Sequence, residues 1–339
     1  MAGWRAKLKA DPTEWLLEGE NPSVRYFTLR DMLDRPEGNP ELETAKLEIM
    51  LSGVVPQILR LQSEPEYRET WKNYYTAKYR GLVWQLITLA ELGAEATPQI
   101  REQCEYLFDN AQSHESSGFS QHGTKANGGR ESEVIPCLTG NLVWCFIHFG
   151  YMDDPRLQKA LHWITRTLRY DDGEGDAPQG PAYERYEMCW GRHTCHMGVV
   201  KALKALAAIP ESKQTAEVKR TIDAAVEYLL KHHIHKRSHN LRRLSKPGWQ
   251  KFGFPLMYQT DALEILDILA GLGVKDSRMD EAVELVLSKQ DENGRWTLQN
   301  SYNDRLLVPI ETLDANSKWV TLRAMRVLKH LEENQHQPS

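Results

Sequence analysis

Six apolar segments restart at nearly constant spacing along this chain of 339 residues, and each is long enough to be a helix. They begin at Val24, Leu82, Leu142, Val199, Ala262 and Val320. Subtracting these numbers gives intervals of 58, 60, 57, 63 and 58 residues, and the letters Leu-Val-Trp of the second segment return in the third. A repeat of this length holds two helices, so the pattern predicts stacked helical hairpins.

A second helix is predicted between successive apolar segments, because helix start signals occur there. Thr97, Asp154 and Asp276 each open such a run, Pro40 does the same in the first unit, and Ser212 precedes a long run. A capping side chain, or a proline in the first turn, is typical of a helix start. No segment alternates apolar and polar residues between turn signals, so the sequence predicts little or no sheet.

The two ends of the chain complement each other. The last apolar segment has no partner helix after it, and residues 4–18 are helical in pattern with no partner before them. If the repeats close into a ring, residues 4–18 supply the twelfth helix, and residues 1–339 form a single domain. Closure also explains the absence of strongly polar capping repeats, which an open solenoid requires.

Composition excludes several classes of function. Hydrophobic residues make up 41% of the chain and charged residues 26%, with a net charge of −5 and scattered basic residues, so no nucleic-acid partner is predicted. No apolar run approaches the roughly 18 residues of a membrane span, and no secretion signal opens the chain. The odd number of cysteines, 5, predicts reduced thiols and a cytoplasmic location. Oligomeric state is left open.

Two corners between helices carry a more specific pattern. One reads Gln290-Asp-Glu-Asn-Gly-Arg-Trp296, and the other runs from Gln112 to Gly118-Phe119. The pattern resembles the QW repeat of the prenyltransferase and squalene-cyclase superfamily. The resemblance implies an all-α fold, the (α/α)6 toroid, in which six inner helices surround a central cavity and six outer helices enclose them. It implies less about function, because this fold hosts cyclases, protein prenyltransferases and non-enzymatic proteins.

The standard catalytic motifs of that superfamily are missing. The sequence contains no Asp-x-Asp-Asp acid and no Asp-x-Cys zinc pair. Asp153-Asp154 sits where a helix cap is needed, and the loop 171–176 is one residue away from the metal-binding DDxxD pattern. We therefore predict no cofactor. That loop is either a weak Mg²⁺ or Ca²⁺ site or, as we favour, a solvated acidic loop.

Residues that are mostly polar or small recur just before the inner helices, at the register expected to line a toroid cavity from the N-terminal turns. The pairs are Lys78/Gly81, Leu138/Asn141, Cys195/Gly198, Tyr258/Asp261 and Asn316/Trp319. Residues three apart share a helical face, so the repeated register favours a binding site. The alternative is that these residues satisfy backbone groups at helix ends.

The densest cluster of reactive side chains is the segment 189–198, Cys-Trp-Gly-Arg-His-Thr-Cys-His-Met-Gly. Here Cys195 stands at a predicted helix N-terminus, which can lower a thiol pKa, and His193 is a candidate acid or base. Trp190 and Arg192 are candidate substrate contacts. The alternative for the cysteines is inert core packing.

A second histidine group, 232–240, includes the candidate ligand contact His239. No Cys-x-x-Cys or His-Glu-x-x-His spacing supports zinc, so no metal site is predicted, although zinc held across repeats stays a minor alternative. Basic residues at a helix end also complement its dipole. Aromatic and basic residues beside the remaining inner helices are candidate cavity walls: Trp249, Phe254, Lys318 and Trp319.

These patterns favour an enzyme that binds a small molecule in the central cavity and uses acid–base chemistry of the lyase, isomerase or cyclase type. The proposed catalytic residues are His193, Asp261, Tyr258 and Cys195. The resemblance to the prenyltransferase and squalene-cyclase superfamily favours an isoprenoid-like substrate. A carbohydrate-active toroid enzyme, or a non-catalytic toroid that binds a ligand or a protein, are the alternatives.

Overall fold

The computed structural model describes residues 3–176, 179–190 and 194–336, and these residues form a mostly helical fold. The α-helices are α1 (Thr13–Leu16), α2 (Pro22–Phe27), α3 (Pro40–Leu51), α4 (Val54–Gln62), α5 (Pro65–Glu69), α6 (Leu82–Glu91), α7 (Pro98–Ala111), α8 (Pro136–His148), α9 (Pro155–Thr167), α10 (Pro181–Arg185), α11 (Glu187–Trp190), α12 (His196–Ala207), α13 (Ala216–Lys231), α14 (Ala262–Gly271), α15 (Asp280–Ser288) and α16 (Lys318–His336). The strands are β1 (Gly123–Thr124), β2 (Gly128–Gly129), β3 (Lys236–Arg237), β4 (Asn240–Leu244), β5 (Trp296–Thr297) and β6 (Asn316–Ser317), paired in sequence order as three antiparallel ribbons.

Inner and outer helices differ in how their apolar residues are arranged. In the inner helix α6 every residue from Leu82 to Ala90 is buried, because the helix is apolar on all sides. The outer helix α9 buries Leu157, Ala160, Leu161 and Ile164, which form one face at helical spacing. The helices therefore form two layers, with the apolar-all-round set enclosed by the amphipathic set.

Most predicted helix starts are confirmed by capping hydrogen bonds. The Thr97 hydroxyl accepts a hydrogen bond from the Ile100 amide at 3.2 Å, and the Asp154 carboxylate accepts one from the Arg156 amide at 2.8 Å. The predicted start at Ser212 is early: this residue lies in a separate 3-10 turn, and α13 begins after the cap Thr215.

The inner helices close into a ring. Helix α16 packs on α2 and α14, α12 packs on α14 and α8, and α8 packs on α6. Between α6 and α2, Gly93 adopts φ +75°, and a Cβ there would lie 3.0 Å from the Phe27 ring. Glycine therefore allows the close approach of α6 to α2, while the contact of α16 with α2 joins the last inner helix to the first. The fold is an all-α toroid, as the repeat predicts.

The N-terminal segment is not the continuous helix predicted over residues 4–18. A 3-10 helix spans Gly3–Lys7 and α1 spans Thr13–Leu16. The break lies at Asp11, whose carboxylate accepts from the Thr13 amide at 3.0 Å, and at Pro12, which has no backbone N–H to continue a helix.

This segment nevertheless packs against the last inner helix. Trp4 and Leu16 belong to the same buried core as Leu322 and Val327. The Lys318 ammonium lies 2.8 Å from a carboxylate oxygen of Glu18.

The two glutamine corners connect neighbouring hairpins by hydrogen bonds. The Gln112 side-chain amide donates to the Arg156 carbonyl in the first turn of α9 at 2.8 Å. The Gln290 side-chain oxygen accepts from the Lys9 amide at 2.7 Å, and the Trp296 indole N–H donates to the Val286 carbonyl at 2.7 Å. Each corner thus ties one helical unit to the next.

No helix within the described ranges combines the length and the apolar character needed to cross a bilayer.

Candidate functional site

A cavity of about 960 Å³ is lined by all six inner helices: by the end of α2, by the C-terminal halves of α6, α8 and α12, and by residues along α14 and α16. We call it the ring cavity, and its principal side chains are Phe27, Glu91, Trp144, His148, Lys204, Glu264, Asp267, Trp319, Arg323, Arg326 and His330. First turns of inner helices contribute Glu264 and Trp319 to this lining. Among the residues predicted at the cavity register, all of which the structure describes, Trp319 alone lines this cavity.

Glu91 is a lining residue of the ring cavity that binds two cations, and we call this part of the lining the floor. Its carboxylate accepts a short hydrogen bond from the Lys204 ammonium and lies 3.5 Å from the Arg323 guanidinium. Burial alone would raise the pKa of Glu91, but the two cations lower it to about 2. The residue is therefore a fixed anion at neutral pH.

A buried ion pair lies beneath this group. The Lys201 ammonium donates to both carboxylate oxygens of Glu264 at 2.7 Å, and Lys204 lies 3.6 Å from the same carboxylate. Burial favours the neutral form of Glu264, yet the lysines lower its pKa below the usual range. Burial also lowers the pKa of Lys201, against the attraction of Glu264.

A third carboxylate completes the charged belt. Asp267 accepts from the Arg326 guanidinium at 2.8 and 2.5 Å, and Arg323 lies 3.7 Å away. Arg326 also donates to Asp31 at 3.0 Å. The belt therefore alternates acids and bases around the floor, and each of its carboxylates contacts a cation.

Aromatic rings form the adjoining walls. The Lys204 ammonium lies 3.8 Å from the centroid of the Trp144 ring, within the range of a cation–π contact. Trp319 stacks on Phe254 with centroids 4.2 Å apart and planes 5° from parallel, and it meets the Phe27 ring edge-on at 5.9 Å. Phe254 thus supports the wall from behind rather than lining the cavity.

Two histidines also face the ring cavity. The His148 Nε2 lies 3.0 Å from the Ala94 carbonyl, and burial lowers the pKa of this imidazole. Burial likewise lowers the pKa of His330, and its Nδ1 is buried with no hydrogen-bond partner in the described part of the chain. Both imidazoles are therefore neutral at pH 7.

Three predicted site residues instead pack the N-terminal end of the ring. The Asn141 amide donates to the Met257 carbonyl at 3.2 Å, and the Tyr258 ring meets Trp84 edge-on at 5.6 Å. The Asp261 carboxylate caps α14 by accepting from the Glu264 amide at 2.8 Å, and it accepts from the Gly253 amide at 2.9 Å. Burial raises the pKa of Asp261 to about 6. Their catalytic and binding roles stay predictions.

The other predicted contacts are dispersed. Lys78 is exposed, with its ammonium 5.2 Å from the Tyr75 ring centroid. Lys318 is buried and bound by Glu18 and Glu20. Trp190 is the last residue of α11. Arg192 and His193 lie outside the described residues.

A second concavity gathers the two reactive sequence segments. This cleft of about 700 Å³ lies between the start of α12 and the end of α13, and we call it the histidine cleft. It is lined by the predicted residues Cys195, His239 and Trp249, together with Cys189, His196, His232, Ser245 and Lys246. Segments 189–198 and 232–240 therefore meet, although more than thirty residues separate them.

His196 is packed among other rings of this cleft. Its ring centroid lies 4.4 Å from those of His232 and Trp249, and its Nδ1 lies 3.2 Å from the Ser245 hydroxyl. The Ser245 hydroxyl itself donates to the Lys236 carbonyl, so it accepts from Nδ1–H. Burial, followed by the proximity of His232, lowers the pKa of His196 well below the usual range. The imidazole is a neutral group held in one orientation.

The charged belt was missed from the sequence, although a signal existed. Lys201 and Glu264 each stand two positions after the start of an apolar segment, at Val199 and Ala262. Three residues further on, Lys204 and Asp267 again match in position. Charges repeated inside helices that are apolar on every face require buried partners, and here they find each other.

Among residues 3–176, 179–190 and 194–336, no group of three or more His, Cys, Asp or Glu side chains is arranged to hold a metal ion. The expectation that no zinc is bound stays a prediction.

Comparison with known proteins identifies solved structures that are similar to this chain. No protein-family model matches the chain, and no curated protein matches it. A variant of the type II terpene cyclase MstE from Scytonema, solved with geranylgeranyl dihydroxybenzoate, is 15% identical with a TM-score of 0.43, covering 93% of this chain and 88% of that one. The apo form of MstE is 15% identical with a TM-score of 0.42, covering 91% of this chain and 87% of its own. A protein from Actinoplanes is 14% identical with a TM-score of 0.43, covering 91% and 90%.

Proposed function

We propose that this protein binds an amphipathic small molecule, with an anionic group and an apolar body, in the ring cavity. The observation that carries the proposal is the juxtaposition of a charged belt and aromatic walls around one cavity, whose lining contains more basic than acidic side chains. Lys204 and Arg323 lie on the floor, and Trp144 and Trp319 stand beside them. An isoprenoid carboxylate or diphosphate has this chemistry.

The charge of the lining supports an anionic ligand. Within the described lining, six lysine and arginine side chains face four acidic ones. Arginine binds carboxylates and phosphates through paired hydrogen bonds, and such bonds strengthen where water is excluded. The remaining cationic excess therefore favours a ligand with negative charge over a neutral hydrocarbon.

The size and the walls support an apolar body. A volume of about 960 Å³ is at the upper end of the range for small-molecule sites. Trp319 is held flat by Phe254, so it presents a rigid face to the cavity. A prenyl chain would contact such a face along its length, and so would the apolar face of a sugar.

An acid–base enzyme is the second candidate, and the two neutral imidazoles of the cavity favour it. The pKa of Glu91 and that of Glu264 are both lowered by cations, so neither is suited to donate a proton at neutral pH. His148 and His330 are neutral and could accept one. This chemistry fits a lyase or isomerase better than a cyclase that begins by protonating its substrate.

Calorimetric titration of the full chain with farnesyl diphosphate, and separately with a uronic-acid oligosaccharide, tests the proposal. We expect binding of the prenyl compound that Arg323→Gln weakens by roughly 10-fold or more, since a charged hydrogen bond contributes about 1.5–3 kcal/mol. Lys213→Met is the matched control, because Lys213 pairs with Asp153 on the outer surface.

Binding of the oligosaccharide alone would support the carbohydrate alternative. Absence of binding to either compound, or equal affinity in the wild type and Arg323→Gln, would overturn the proposal. Product formation after incubation, followed by mass spectrometry, separates an enzyme from a binding protein.

A further inference from the structure

The histidine cleft contains two neighbouring cysteine thiols. Cys189 lies on α11, and Cys195 is the N-terminal cap of α12. The two side chains border one small gap of about 10 Å³, together with Pro136 and Thr194, so the two thiols are close enough to influence each other's ionisation. Both side chains are partly exposed and line the cleft beside His196 and Lys246. The pair is therefore placed at an opening wide enough for a small molecule.

The environment makes the two thiols unequal. The neighbouring Cys189 thiol, together with the Gly198 amide at 3.4 Å and the Lys246 cation, outweighs burial and lowers the pKa of Cys195 to about 7. The proximity of Cys195 raises the pKa of Cys189. A thiolate beside a protonated thiol is the arrangement of an attacking and a resolving cysteine.

The other cysteines differ in both respects. Cys104, Cys137 and Cys145 are buried, and burial raises the pKa of each thiol. Buried thiols of this kind are inert core residues. Reactivity is therefore expected at Cys189 and Cys195 alone.

We infer that Cys189 and Cys195 form a thiol–disulfide exchange centre that accepts a small organic disulfide in the histidine cleft. The Cys195 thiolate attacks one sulfur of that disulfide, the S–S bond breaks, and the first thiol leaves as a thiolate that takes up a proton. Cys189 then loses its proton and attacks the Cys195 sulfur, which expels the second thiol. Two protein thiols are oxidised to one disulfide, and the organic disulfide is reduced to two thiols. This activity is independent of any ligand in the ring cavity.

Peptide mass spectrometry of the full chain tests the inference, with oxidised glutathione as the probe. Trypsin cleaves after Arg192, so the two cysteines fall in separate peptides, 186–192 and 193–201. We expect these peptides to become joined by a disulfide after oxidation, and to separate on reduction. In the Cys189→Ser variant we expect a stable mixed disulfide between Cys195 and glutathione, whereas Cys195→Ser should suppress both products.

The reduced protein supplies an internal control. At pH 7, iodoacetamide should modify Cys195 at least roughly 10-fold faster than the buried Cys145 in the same sample. Equal rates would overturn the inference. Mixed disulfides that persist in the wild type, or disulfides formed only between two chains, would also overturn it.

Discussion

The Lys201 ammonium contacts both carboxylate oxygens of Glu264 at 2.7 Å, although the two side chains are only 1% and 3% exposed. The residues are on neighbouring inner helices, 63 positions apart. Charges this deeply buried are tolerated because the attraction and hydrogen bonds between the two ions offset the hydration that each lost on folding. The pair therefore ties α12 to α14 beneath the ring cavity.

Removing one partner of this pair should destabilise the protein strongly. Lys201→Met leaves Glu264 without its closest cation, and we expect a loss of about 3–5 kcal/mol in the free energy of unfolding. Urea denaturation measures it. The double variant Lys201→Met/Glu264→Leu should recover at least half of the loss, and Lys213→Met on the surface should cost less than about 1 kcal/mol. An equal loss in the single and double variants would contradict this account.

The pH dependence of stability should contain a contribution from Glu91. Burial opposes ionisation, but Lys204 and Arg323 lower the pKa of Glu91 from 4.5 to about 2 in the folded state. Its stabilising effect is therefore complete above pH 4.5 and is lost as the pH falls toward 2.

The difference in unfolding free energy between the wild type and Glu91→Gln should shrink over this interval, by up to about 3 kcal/mol. Denaturation curves at several pH values measure the difference, with the exposed Glu37→Gln as control. A difference that stays constant between pH 5 and pH 3 would show that Glu91 makes no such contribution.

Deleting residues 1–18 tests whether the N-terminal segment completes the ring. Trp4, Leu8 and Leu16 are buried in the main core, so we expect a loss of at least ~4 kcal/mol and binding of a hydrophobic dye. Lys7→Ala, an exposed change in the same segment, should leave the melting temperature nearly unchanged. A truncated chain that melts like the intact one would rule out closure by this segment.

Substitution of Asp261 separates a capping role from a catalytic one. Its carboxylate accepts from the amides of Glu264 and Gly253, so Asp261→Asn should cost about 1–2 kcal/mol of stability. Affinity for a ring-cavity ligand should change by less than about 2-fold in the folded variant, since Asp261 does not line that cavity. Loss of affinity at an unchanged melting temperature would instead support the catalytic assignment.

Repetition made the architecture predictable, whereas the position of the cavity depended on how the loops fold back. The starts at Val24 through Val320 recur because the inner helices bury most of their surface, and the sequence shows this as long apolar runs at regular intervals. Whether a helix end faces a void or a packed loop is not local. At the N-terminal end of the ring, Met257 contacts Asn141 and Tyr258 contacts Trp84. The periodicity of the sequence does not predict these contacts.

The reactive segments were easier to locate than to interpret. Cys195 and His239 stand out by residue type, and the structure brings both to one cleft. That cleft lies between two helices of one repeat and is separate from the ring cavity, because the segments bracket the hairpin of α12 and α13. Lys201 and Glu264 occupy matching positions in the sequence repeat. A single charge in an apolar helix predicts an ion pair only when the neighbouring helix that carries its partner is known.

The contribution of α16 to the ring cavity has a consequence for biosynthesis. Trp319, Arg323, Arg326 and His330 all come from this helix, which follows every other inner helix in the chain. A nascent polypeptide that has not reached Lys318 lacks this wall, and its Glu91 lacks the arginine that balances it. The ring cavity is therefore completed only when α16 packs, after the other inner helices have been synthesised.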